Sequence, residues 1–259
     1  MSTNPYAAPK APVADAAPAL PQGEFVPGGR GVPIGHGWDW FAGGWELFKK
    51  QPGIWILLVI VYMALFIGLS FIPFAGVLAT SLLWPVFGGG TMVGCRTQEG
   101  GGSLEVGHLF AGFREKFGTL AAVGAIYLAI YVAVALVVGL ITGVDLSALF
   151  GAEPDTDADF DVMPFLLAML LIAAALLPVM MALWFAPALV LFHGRGALEA
   201  MKESFLGCLK NVLPFLLYGV LFFIFAIPAT LPVMLGWLVL MPVAIASMYA
   251  SYRDIYFNS

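Results

Sequence analysis

Charge is what this sequence has least of. Only 10% of its 259 residues are Asp, Glu, Lys or Arg, while 61% are hydrophobic and the mean hydropathy is +0.95. Soluble domains carry roughly 25% charged and 45–50% apolar residues, so an ordinary water-soluble domain is excluded. Eleven Lys and Arg against sixteen Asp and Glu leave a net charge of −5. No basic patch supports nucleic-acid binding. Two cysteines, Cys95 and Cys208, exclude a disulfide framework. With His36, His108 and His193 they form no C-x-x-C or H-x-x-x-H spacing, so no metal site and no cofactor are expected. The N-terminal residues lack both a basic n-region and an apolar core of signal-peptide length.

What is present is long apolar stretches. A membrane-crossing helix needs about 20 mostly apolar residues, since each rises ~1.5 Å through a hydrocarbon layer ~30 Å thick. Six stretches meet this, at approximately 54–72, 74–94, 119–142, 164–192, 212–228 and 231–250. Pro73 separates the first two and Pro228 to Pro232 the last two, which predicts tight turns because the residue before proline is driven from helical geometry. The fold class expected is an all-α integral membrane bundle of six crossings in three hairpins.

Sidedness follows from the cations. All eleven lie before span one, between two and three, between four and five, or after six. Residues 143–163 hold Asp145, Glu153, Asp155, Asp157, Asp159 and Asp161 and no cation. The positive-inside rule places both termini in the cytoplasm and this acidic loop outside. A calcium loop starting at Asp155 would need glycine at its sixth position and glutamate at its twelfth, where Phe160 and Leu166 stand. Residues 1–35, with seven prolines and many alanines, read as a disordered cytoplasmic tail, and 36–259 as the transmembrane domain.

Short amphipathic stretches precede each pair of spans. Trp38, Phe41, Trp45 and Phe48 recur at three- and four-residue steps, with Lys49 and Lys50 beside them. Val106, Leu109, Phe113 and Phe117 repeat the stripe next to Arg114 and Lys116, and Leu198, Met201, Phe205 and Leu209 repeat it next to Lys202 and Lys210. These aromatics and cations are expected to anchor the helices at the lipid headgroups. Equating Trp45, Phe113 and Phe205 gives three repeats, approximately 36–95, 103–163 and 197–255, with span four at 164–192 completing the second hairpin.

No ionisable side chain lies inside the spans, so a proton- or sodium-coupled carrier lacks its usual relay. "WPVFGGGTMVG" at 84–94, Pro178, Pro187 and Pro242 are candidate helix breaks. Gly88 to Gly90 have no strand before them and no Lys-Ser/Thr after them, which excludes a phosphate-binding loop. Gly90 and Gly94 form a small-xxx-small pair, and Ala121, Ala125, Ala129 and Ala133 a ridge, expected to pack spans two and three together.

The stretch "HGWDWFAGGWELFKKQPGIW" at 36–55, followed by the six apolar runs, resembles a family of uncharacterised proteobacterial inner-membrane proteins over about residues 34–255. The resemblance implies a bacterial cytoplasmic membrane and no activity. The helix-plus-hairpin pattern is also similar to the membrane domains attached to some glycerophosphodiesterases, but the catalytic domain is absent here. The function expected is non-enzymatic: a scaffold, envelope-maintenance or partner-binding protein. Its expected partners are membrane lipids and a second copy or another membrane protein. The alternative is a small-solute or lipid-handling transporter with a path between the repeats. An intramembrane enzyme would draw on Glu46, His108, Arg114 and His193.

Overall fold

The computed structural model describes residues 23–72, 75–144, 162–231 and 233–258. The acidic carboxylates from Asp145 to Asp161 and the first 22 residues of the expected tail lie outside them. The described chain is helical: α1 (His36–Lys50), α2 (Pro52–Ser70), α3 (Ala75–Glu99), a 3-10 turn (Val106–Phe110), α4 (Ala111–Glu115), α5 (Phe117–Thr142), α6 (Val162–Trp184), α7 (Ala186–His193), α8 (Ala197–Lys210), α9 (Val212–Thr230) and α10 (Trp237–Tyr256). Among the described residues the extended contact is an isolated antiparallel bridge between Phe25 and Phe257.

Among the described residues, five stretches are long and apolar enough to cross a membrane: α2, α3, α5, the run Val162–His193 that α6 and α7 make up, and α9. Their outer faces carry Ile67, Leu140, Leu170 and Phe223 to the surface, Leu140 being 85% exposed. Such a surface suits hydrocarbon, because a helix satisfies most of its backbone groups internally. The sixth run expected at 231–250 is not among them. The turn after α9 continues to Gly236, and α10 then runs on to Tyr256 through Ser247, Ser251, Arg253 and Asp254. Its C-terminal half is polar, and Tyr249, Tyr252 and Tyr256 are buried along it.

Three breaks join a short polar helix to a long apolar one. Gln51, Lys116 and Asn211 each leave helical geometry, with φ of −148°, −142° and −123° and ψ of 63°, 34° and 29°. Each then accepts the first bond of the helix that follows, from Trp55, Leu120 and Phe215 respectively. The short helices pack in a consistent sense: α1 rests on α10, the 3-10 turn and α4 on α3, and α8 on α6 and α7.

Glycines set the closeness of these contacts. A Cβ on Gly44 would overlap the Val243 carbonyl and Ser247 of α10, and one on Gly112 would overlap the Val86 carbonyl of α3. On α8 the corresponding contact is a hydroxyl. Ser204 Oγ donates to Met181 O (2.7 Å) and accepts from Phe185 N (2.9 Å), inserting itself into the i to i−4 ladder of the long run 162–193. With Pro187 unable to donate, that insertion is why the expected single span breaks at Phe185 into α6 and α7.

Gly90 and Gly94 permit close approach, but to the segment 104–109 and not to α5. A Cβ on Gly90 would meet the carbonyls of His108 and Leu109, and one on Gly94 would lie 2.6 Å from Leu104 Cδ1. The expected contact between α3 and α5 exists, yet it runs through Gly124, which sits on Ser81 and Leu82, with Leu120 and Val123 buried beside it. The alanine ridge faces the other way. Ala121 is half-buried and Ala125, Ala129 and Ala133 are exposed, because Gly124 allows a nearer approach than any alanine.

Candidate functional site

Polar groups collect at one end of the bundle, where α1, α3, α7 and α10 finish or begin. Asp254, in the last turn of α10, is the hub. Its Oδ2 accepts from His36 Nδ1 and Trp40 Nε1, both at 2.7 Å, and its Oδ1 from Arg30 Nη2 at 3.1 Å. Arg30 Nε also donates to the Asp254 carbonyl (2.8 Å). His36 and Trp40 reach one carboxylate because residues four apart share a helix face.

Residues 23–35, assigned to the tail by composition, form a strap over this end. Val26 N and Arg30 N donate to the Tyr256 and Ile255 carbonyls. Gly28 and Gly29 adopt φ of +71° and +69°, the left-handed region that suits glycine. Their carbonyls both accept from Lys210 Nζ, at 3.0 and 2.6 Å. Asn211 closes the strap by donating to Arg30 O and accepting from Val32 N, each at 2.8 Å. Proline content carried no information on these polar tethers to distant residues.

Glu99 closes α3 onto α10 by accepting from Tyr249 OH (2.6 Å) and from Arg253 Nη1. Arg195 pairs with Glu199 (2.9 Å) and Glu203 (3.0 Å), and burial lifts the Glu203 carboxyl above the usual range against the pull of Arg195. Phe25 of the strap stacks on His193 at 3.6 Å, and His193 Nε2 lies 2.7 Å from Tyr252 OH.

Two clefts flank α1. The first, about 440 Å³, is charged and lies toward the polar end, lined by Arg30, Glu46, Lys50, Glu99, Arg253 and Asp254. The second, about 540 Å³, is apolar and runs between α1, α9 and α10, with Trp38, Phe41, Trp45, Phe225, Pro228 and Val239 on its walls. The aromatic stripe expected on α1 is therefore divided: Phe41 and Phe48 are buried, Phe41 stacking on Phe225 at 4.6 Å, while Trp38 and Trp45 stay 50% and 41% exposed.

The remaining sequence candidates take separate partners. Lys49 pairs with Glu46 (2.8 Å), Lys50 donates to Gln98 O (3.2 Å), and Arg114 and Lys116 are exposed. Phe113 belongs to a ring cluster with Phe87, Phe110 and Phe117, and Phe205 is half-buried on α8. Lys210 is committed to the strap carbonyls. His108 Nδ1 accepts from Glu105 N (3.0 Å), capping the 3-10 turn. Cys95 is fully buried; Cys208 sits 3.4 Å from Met181 O, and burial pushes its thiol up to about 12.

No family model matches the chain, and no solved structure matches it. It is 30% identical over 244 residues to a curated protein of Burkholderia thailandensis named "Probable inner membrane protein", covering 85% of this chain and 90% of that one. The chain belongs to this inner-membrane protein family. Multi-pass placement in the inner membrane follows from that kinship together with the five long apolar helices.

In this inner-membrane protein the residues that sequence reasoning missed are the Asp254 hub with Arg30, His36 and Trp40, and the Glu99, Tyr249, Arg253 group. A signal was available in "MYASYRDIY" at 248–256: tyrosines at 249, 252 and 256, spaced by three and four, describe a buried polar face.

Proposed function

We propose that this is a non-enzymatic scaffold or partner-binding protein of the bacterial inner membrane, with the apolar groove between α1, α9 and α10 as its docking surface. The groove carries the reading: a volume of about 540 Å³, walled by two exposed tryptophans and by Phe225, Pro228 and Val239, sits among helices whose outer faces suit lipid. Groove-type recognition of an apolar helix uses surfaces of this kind. In this reading α10 returns the chain to the side of α1, both termini are cytoplasmic, the acidic loop is outside, and Trp38, Trp45, Phe113, Arg114 and Lys116 sit at headgroup level. The threefold plan is supported by the three matching breaks, and by α4 and α8 each resting on a helix of the unit before, with α1 resting on α10 of the last unit.

A lipid-handling transporter is favoured by one observation, the predominantly apolar lining of the same groove, which fits an acyl chain as readily as a helix. The two separate by crosslinking in cells. Benzoylphenylalanine placed at Phe225 should give discrete protein adducts, and the same group at Leu170, outside the groove, should not. Adducts to lipid alone from both positions, with lipid movement in proteoliposomes, would replace the scaffold reading with the transporter.

A further inference from the structure

The charged cleft on the other side of α1 is unbalanced in hydrogen-bonding capacity, although its three cations match its three carboxylates in number. Its carboxylates are engaged. Asp254 accepts from Arg30, His36 and Trp40; Glu99 accepts from Tyr249 and Arg253; Glu46 pairs with Lys49. The cations are engaged through only part of their donors. Lys50 has three N–H groups and gives one to the neutral Gln98 carbonyl, with no carboxylate partner among the described residues. Arg253 uses Nη1 on Glu99 and retains Nη2. Arg30 uses Nε and Nη2 and retains Nη1.

Surplus donors on three cations around one cleft call for a ligand that brings several acceptor oxygens and negative charge. A phosphate meets this better than a carboxylate: its tetrahedral oxygens can be met from several directions, and guanidinium and ammonium groups both bind it through charge-assisted hydrogen bonds. Leu47, Ala250 and Phe257 also line the cleft and offer apolar contact to an ester substituent. A volume of about 440 Å³ is ample for a headgroup-sized molecule.

We infer that this cleft binds a phosphate ester, with Lys50 and Arg253 holding the phosphate oxygens and Arg30 contributing from the strap. The site is independent of the apolar groove, so it stands or falls separately from the docking role. Its phosphate can come from a lipid headgroup or from a soluble compound.

The test uses the full chain purified in an uncharged detergent, with affinity and thermal stability read against two probes, dioctanoyl phosphatidylglycerol and inorganic phosphate. Octanoate serves as a carboxylate control. Lys50 is exposed, so Lys50→Gln folds, and Lys50→Arg keeps the charge. At least one phosphate probe should bind wild type, weaken about tenfold in Lys50→Gln, and recover in Lys50→Arg. Binding of the lipid alone assigns a headgroup source; binding of inorganic phosphate assigns a soluble one. Failure of both probes, equal affinity for Lys50→Gln and wild type, or equal binding of octanoate overturns the inference.

Discussion

The two ends of this bundle are held together by different means. At the polar end, Asp254, Glu99, Arg195 and Lys210 tie the strap, α1, α3, α8 and α10 into a network of side-chain bonds. At the other end the outer halves of α5 and α6 meet through a small cluster, Ala135, Val138, Ala168 and Ile172, with Leu136, Leu140, Leu166 and Leu170 exposed around it. The contrast follows from the solvent. Apolar faces gain little by leaving hydrocarbon for each other, so relative placement is fixed where glycines permit backbone contact and where polar groups need partners.

Four substitutions and one labelling measurement sharpen that comparison. Gly44→Val should have the largest effect, since the side chain would be driven into the Val243 carbonyl and Ser247 with no flexible neighbour to yield; a loss of about 3 kcal/mol or more is expected, seen as aggregation in detergent size-exclusion runs. Asp254→Ala removes the acceptor of three side chains and strands the Trp40 N–H, for about 2 kcal/mol in a thermal or denaturant melt, and should also release the strap to limited proteolysis.

Ser204→Ala removes both bonds of the inserted hydroxyl. About 1 kcal/mol should be lost, and hydrogen exchange should rise locally at Phe185. At the apolar end Leu140→Ala should shift the melt by no more than about 0.5 kcal/mol, because the residue touches little protein. A large effect there would show that the outer half is covered by something else. The smallest response is expected from the thiols: Cys95 and Cys208 are both buried, and the Cys208 thiol is pushed up to about 12, so maleimide at neutral pH should label neither until the protein is unfolded.

Much of the fold was legible in the sequence. The apolar runs beginning near 54, 74, 119, 164 and 212 became helices at close to the expected positions, because apolar length alone specifies a membrane-crossing segment. The sixth was misplaced because proline and turn residues at 228–236 mask a later start, and because α10 combines apolar and polar faces that a window average blurs. The packing expectation for Gly90 and Gly94 had the right chemistry with the wrong partner. A small-residue pair states that something approaches closely and leaves open what it is. Of the residues that form the two clefts, the aromatics of α1 were visible from their spacing, whereas Arg30, Glu99 and Asp254 were visible only as scattered charges.

By itself the sequence determined the solvent this protein lives in and the helices it makes, since both follow from local composition and from each backbone closing its own hydrogen bonds. Tertiary structure alone decided that residues 23–35 are a strap, that Ser204 breaks a helix on another element, and that Asp254 gathers residues more than 200 positions away. Those outcomes depend on which unsatisfied donor meets which acceptor once the helices have packed, and no local pattern encodes that pairing.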